Sequence, residues 1–327
     1  MTTFNVIEFH RKRDFSRKLN ATFEFIKQNF KPLGKSILLI AGPPILIASL
    51  IMGSFVSDLS SISTNPSNQI EGIETFFSSP IFWLEIVLMV IFYTVASVMS
   101  IATVNNYLLL YGEKRSNLIE VSEVWDRVRA TFWMYFRSMI LFIVMLVLAY
   151  IVLAIPVGFL AMGSPILVVF GVIFFFCAII YLLIASSLTF IIRACESNGF
   201  FDALVRSFKL VKDKWWSTFG LVMILYMVMF VASMLFILPW QVISGVSMFH
   251  SLSTNSFEEP SASWQLLTTI MLSLQYIIQM MLACLPNIGV AFQYFNLVEM
   301  KEAKGLMTQI QTLGQQTPPA PAQEEHY

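Results

Sequence analysis

The chain has 327 residues, of which 57% are hydrophobic and 12% charged, with 20 Lys and Arg balanced by 20 Asp and Glu. Soluble domains carry about 25% charged residues, and a mean hydropathy of +0.73 implies more apolar surface than a water-soluble core can bury. These values exclude a soluble enzyme, a basic nucleic-acid-binding protein and a disordered chain, and only three Cys exclude a disulfide scaffold.

A helix needs about 20 apolar residues to cross about 30 Å of hydrocarbon. Residues 1–13 form a basic N-terminal segment ahead of the first apolar stretch, which begins at residue 36 and is too long for a cleavable signal peptide. Between them, Phe15, Leu19, Phe23, Ile26 and Phe30 recur every three or four residues and predict an amphipathic helix. Ser36–Phe55 is the first span. Pro80 to about Tyr111, with Glu85 its one charge, is the second. Val121, Val124, Trp125, Val128 and Phe132 make a second amphipathic stripe. The uncharged stretch from Ser138 to Ile192, 55 residues, suits two spans, with a tight turn at Pro156, Gly158, Gly163, Ser164 and Pro165. Phe201, Leu204, Val205, Phe208, Val211 and Trp215 form a third stripe, and Trp215–Pro239 is the fifth span. Ser263 to about Val298 holds a sixth span, ending near Pro286–Gly289, and a helical extension.

The fold class is therefore all-α: a polytopic membrane bundle of six transmembrane helices with three cytoplasmic amphipathic interfacial helices. Lys and Arg concentrate on the cytoplasmic side of membranes. The segment before span one carries eight, those after spans two and four carry five each, and the tail carries two, which accounts for all 20. The opposite loops carry none and hold Asp58, Glu71, Glu74, Glu258 and Glu259. Both termini are expected in the cytoplasm.

The stripes align without gaps. Phe23, Ile26, Lys27 and Phe30 match Trp125, Val128, Arg129 and Phe132, and both match Phe208, Val211, Lys212 and Trp215. Pro156 and Pro239 each lie 24 residues beyond the last aromatic of their stripe, although the first unit has Ser54 there. Ser79-Pro80-Ile81 recurs as Ser164-Pro165-Ile166, and Asn106-Tyr107, Leu110 and Lys114 recur as Gln293-Tyr294, Leu297 and Lys301. We read a threefold parallel repeat of interfacial helix, span out and span back, in units of about 14–114, 119–196 and 199–301. These lie within one membrane domain, 14–306, followed by a disordered cytoplasmic tail, 307–327, rich in Pro and Gln from about Gln315.

The stretch GFFDALVRSFKLVKDKWWSTFGL at 199–221, FILP at 236–239 and YFNLVEMKEAKGL at 294–306 resemble the membrane domain attached to some glycerophosphodiester phosphodiesterases. They also resemble that domain's stand-alone six-span bacterial relatives of unassigned function. The resemblance covers residues 15–306 as architecture. It implies no catalytic residues, since hydrolysis in the fused proteins belongs to a separate soluble barrel.

A search for chemistry finds little. His10, His250 and His326 lie far apart and outside the spans, so no His-based metal centre is expected. Cys177, Cys195 and Cys284 are isolated, and no nucleophile elbow, zincin or P-loop motif is present. Thr94, Ser97, Ser100, Ser186 and Ser187 are expected to pack helices together. Glu85 falls near the outer interface, within reach of water. Gln275 and Gln279 share one helix face near mid-membrane, where their amides need partners.

The expected protein is non-enzymatic and cofactor-free and resides in the bacterial inner membrane. It acts at the cytoplasmic leaflet in lipid homeostasis or membrane assembly. Membrane lipids with anionic headgroups are its expected partners, contacted by Lys27, Lys31, Arg127, Arg129, Lys209 and Lys212. The alternative is a transporter or flippase with a polar cavity near Gln275, Gln279 and Glu85.

Overall fold

In the computed structural model, residues 6–63, 74, 77–161, 165–254, 262–303, 305 and 307 are described, and all regular structure among them is helical. The expectations for Glu71, Glu258, Glu259, Lys304, His326 and the disordered tail lie outside these residues. In chain order the helices are α1 (Phe15–Ser36), α2 (Gly42–Ser63), α3 (Pro80–Lys114), α4 (Val121–Ala161), α5 (Pro165–Ser186), α6 (Thr189–Glu196), α7 (Phe200–Val211), α8 (Trp215–Thr254), α9 (Ala262–Leu282) and α10 (Cys284–Glu302). Six helical stretches are long and apolar enough to cross a membrane.

The local chemistry accounts for the boundaries. Ser79 accepts from the Ile81 N–H and Pro80 occupies the first turn of α3, where a missing N–H costs nothing. Between α1 and α2 the chain does not break. Pro43 and Pro44 cannot donate to the preceding turn, and one π-turn over Ile37–Ala41, with the Gly42 N–H on the Ile37 carbonyl, absorbs the mismatch.

Two boundaries differ from the sequence expectation. Pro156 lies inside α4 and not in a turn, and α8 runs through Pro239 to Thr254. In both cases the surrounding apolar run keeps the helix going past one lost hydrogen bond. The second basic stripe is also not a separate element, because α4 is a single helix of 41 residues. At 1.5 Å per residue it is about 60 Å long, roughly twice the hydrocarbon thickness. Its charged half, Glu123 to Arg137, therefore projects beyond an apolar half.

Each long helix packs on the next one in sequence, α5 meets α7 and α8, and α9 closes onto α2, so the spanning segments form a ring. Gly53 allows the α2–α9 contact, since a Cβ there would stand 2.8 Å from the Thr269 carbonyl and 2.2 Å from Ser273 Oγ. The core lies at the basic end. There α10 runs among α1, α3, α6, α7 and α8, with Ile288, Ala291, Phe292 and Leu297 fully buried. By contrast, none of the most apolar stretch of α4 is buried within the protein. Its outward Val144, Leu148, Ile151 and Ile155 suit a hydrocarbon solvent.

Candidate functional site

Helix α1 is oriented against the soluble-protein rule. Phe15, Phe23 and Phe30 are exposed, whereas Lys18, Thr22, Phe25, Asn29, Leu33 and Ser36 are buried. The apolar stripe read from the sequence therefore faces outward or lies at the margin, and the inward face is rich in polar groups. Their spacing of about four and seven residues was the sequence signal for this second face.

The inward face forms a closed polar chain. Lys18, 3% exposed, donates from Nζ to Gln293 Oε1 and Ser217 Oγ, each at 2.8 Å. Gln293 Nε2 donates to Thr218 Oγ1 at 2.8 Å, and Thr218 Oγ1 donates to the Lys214 carbonyl at 3.0 Å. About three turns further along α1, Tyr107 Oη donates to Asn29 Oδ1 at 2.9 Å. A buried ammonium needs full hydrogen bonding to stay charged, and these contacts join α1, α8 and α10 through it. Gln293 and Asn106 gave no sign of this role in the sequence. Gln293 is fully buried, and Asn106 Nδ2 donates to Thr131 Oγ1 at 2.8 Å, joining α3 to α4.

A second network links α6, α7 and α10. Arg206 pairs with Glu196 and, from Nη2, with Glu302 Oε1 at 2.6 Å. Tyr294 Oη donates to Glu196 Oε1 at 2.8 Å. The N-terminal segment closes the same end. Phe9 stacks on Phe295 at 4.8 Å and on Tyr111 at 5.7 Å, the Ile7 N–H donates to Tyr111 Oη at 3.0 Å, and the Arg13 N–H donates to Asn296 Oδ1 at 2.7 Å. Burial, with the Arg11 charge second, lowers the Arg13 guanidinium pKa from its ordinary value.

Of the six cations expected to meet headgroups, Lys27, Lys31, Arg129, Lys209 and Lys212 are exposed. Arg127 is half-buried, and both of its terminal nitrogens bind the Glu113 carboxylate. The cations stand beside exposed aromatics: Lys27 with Phe23 and Phe30 on α1, Arg129 with Trp125 and Trp133 on α4, and Lys212 near Trp216. Gln275 is half-buried and Gln279 exposed, and neither side chain has a hydrogen-bond partner among the described residues. Glu85 is half-buried in the second turn of α3. Among the described residues, no cluster of His, Cys, Asp or Glu could hold a metal.

An apolar groove of about 540 Å³ opens between α2, α3 and α4. Pro43, Pro44 and Ile47 form one wall, Phe92, Val95 and Met99 the floor, and Trp125, Arg129, Phe132 and Trp133 the other wall. A second cavity, of about 730 Å³, lies at the end of α1 and the start of α4, with Lys31 and Lys35 on its rim.

Six apolar helices closing into a ring, with their packed core at one charged end, define a multi-pass helical membrane protein. Residues 129–296, just over half of the chain, match the family described as Domain of unknown function (DUF7847), and the chain belongs to that family. The match begins at Arg129 on α4 and ends at Asn296 on α10. No curated protein and no solved structure matches the chain.

Proposed function

We propose that this chain is a non-enzymatic protein of the bacterial inner membrane, with both termini cytoplasmic. It acts at the cytoplasmic leaflet, in lipid homeostasis or membrane assembly, by holding anionic headgroups around its basic end. The observation that carries this reading is the pairing of unburied cations with unburied aromatics on α1, α4 and the α7–α8 segment. An aromatic at headgroup depth with a Lys or Arg beside it lowers its free energy at an anionic surface, by about 1 kcal/mol per cation. The confinement of all 20 Lys and Arg to one set of segments supports the orientation. In this reading the three pairings descend from one repeated unit, and the chain is kin to the membrane domain that some glycerophosphodiester phosphodiesterases carry.

The test is reconstitution in bilayers of spin-labelled phosphatidylglycerol or phosphatidylcholine. The protein should immobilise more of the anionic lipid, and Lys27→Gln with Lys212→Gln should reduce the excess. Equal immobilisation of both lipids would end this reading. Orientation is checked separately with impermeant thiol reagents on intact cells. Ile81→Cys should label and Leu118→Cys, 80% exposed in the structure, should not. The competing transporter reading needs Gln275, Gln279 and Glu85 to share one water-filled path, and cysteines at those positions would then label from the outside.

A further inference from the structure

The groove between α2, α3 and α4 has the polarity profile of a phospholipid. Its inner part is apolar, floored by Phe92 and Val95 and walled by Ile47. Its rim on α4 carries Trp125, Arg129 and Trp133, spaced by four and therefore on one helix face. Pro43 and Pro44, just past the π-turn that joins α1 to α2, line its opposite side.

What singles out the groove is its unsatisfied donors. Arg129 has no ion-pair or hydrogen-bond partner among the described residues, although Arg127, two positions earlier, is held by Glu113. Neither the Trp125 nor the Trp133 indole N–H has a partner among them either. A guanidinium presents paired N–H groups that match a phosphate, and indoles settle at headgroup level with their N–H toward polar groups. The rim thus offers donors to an anion and no carboxylate, while the groove beneath is lined by apolar side chains. Its volume falls in the range of about 300–1,000 Å³ that bound small molecules occupy.

We infer that this groove seats one phospholipid of the basic-side leaflet, its phosphate at Arg129 between Trp125 and Trp133 and an acyl chain along Ile47, Val95 and Phe92. The inference deepens the leaflet reading above and rests on it, since only a groove at headgroup depth meets a lipid this way. It turns a diffuse surface preference into one defined site.

The test is native mass spectrometry of the full chain in mild detergent, titrated with dioleoylphosphatidylglycerol or dioleoylphosphatidylcholine. The wild type should retain one phosphatidylglycerol and prefer it by about tenfold, because both lipids bring a phosphate to Arg129 but phosphatidylcholine also brings a quaternary ammonium that the guanidinium repels. Arg129→Gln should erase the preference and Arg129→Lys restore part of it. Val95→Trp, which fills the floor, should release both lipids. Retention by Arg129→Gln and Val95→Trp equal to the wild type overturns the site. If Lys27→Gln with Lys212→Gln still lowers spin-labelled lipid immobilisation in that case, the leaflet reading survives and only the groove falls. If no variant changes either measurement, both fall. Because Arg129 is exposed, Arg129→Gln decides the matter even if Val95→Trp fails to fold.

Discussion

The buried Lys18 chain gives the sharpest energetic prediction. In Gln293→Leu the ammonium, 3% exposed, keeps Ser217 Oγ and loses the amide oxygen at 2.8 Å. Thr218 is not orphaned, because its hydroxyl still donates to the Lys214 carbonyl, so the cost falls on the cation. A neutral interhelical hydrogen bond in a membrane protein contributes about 0.6 kcal/mol on average, whereas bonds to charged groups contribute about 1.5–3 kcal/mol. We expect Gln293→Leu to cost about 2 kcal/mol, and Lys18→Met less, since it removes the charge and leaves only a neutral amide short of one partner. The double variant should recover at least about 1 kcal/mol relative to the sum of the two. The assay is equilibrium unfolding of the purified chain in mixed micelles of increasing denaturing-detergent fraction, followed by tryptophan fluorescence. Additivity of the two changes within about 0.5 kcal/mol would refute an ion held by Gln293.

Four further perturbations follow from the packing. Arg206→Ala leaves the Glu196 carboxylate, whose side chain is 12% exposed, with neutral donors such as Tyr294 Oη and without its cation, and should lower stability by about 2 kcal/mol in the same titration. Glu302→Gln, at the more open arm, should cost under about 1 kcal/mol. Gly53→Leu drives a side chain into the Thr269 carbonyl and Ser273, so the α2–α9 contact should loosen by about 1–3 kcal/mol. An unchanged midpoint would show that the two helices are not held at that distance. Phe9→Ala removes the ring that stacks on Phe295 and Tyr111. Trypsin should then cut at Arg11, Lys12 and Arg13 several times faster than in the wild type, and an equal rate would mean that the segment is not docked.

Six apolar runs, and the sorting of every Lys and Arg into alternate connections, were legible without coordinates. Hydrophobic length and charge bias are sums over many residues and survive an error at any one of them. Helix ends were less legible. Pro156 and Pro239 looked like stops, but each costs a single hydrogen bond in a helix whose other groups have no competing partner in hydrocarbon. The facing of α1 was legible only in the spacing of its polar groups and not in its apolar stripe, because hydrophobic periodicity marks the core only when the surroundings are water. Here Phe23 and Phe30 point out, and Lys18, Thr22 and Asn29 point in.

The amino-acid sequence by itself determined that the chain forms six helices long and apolar enough to cross a bilayer, and which segments carry its fixed cations, because both are sums of contributions that each residue carries alone. Tertiary structure decided which polar groups meet. Gln293 reaches Lys18 from 275 residues away, and Trp125, Arg129 and Trp133 come to face Pro43 and Val95 across a groove. Hydrogen bonds and cavities are properties of pairs and triples of residues, and only the packing of helices against one another chooses the pairs.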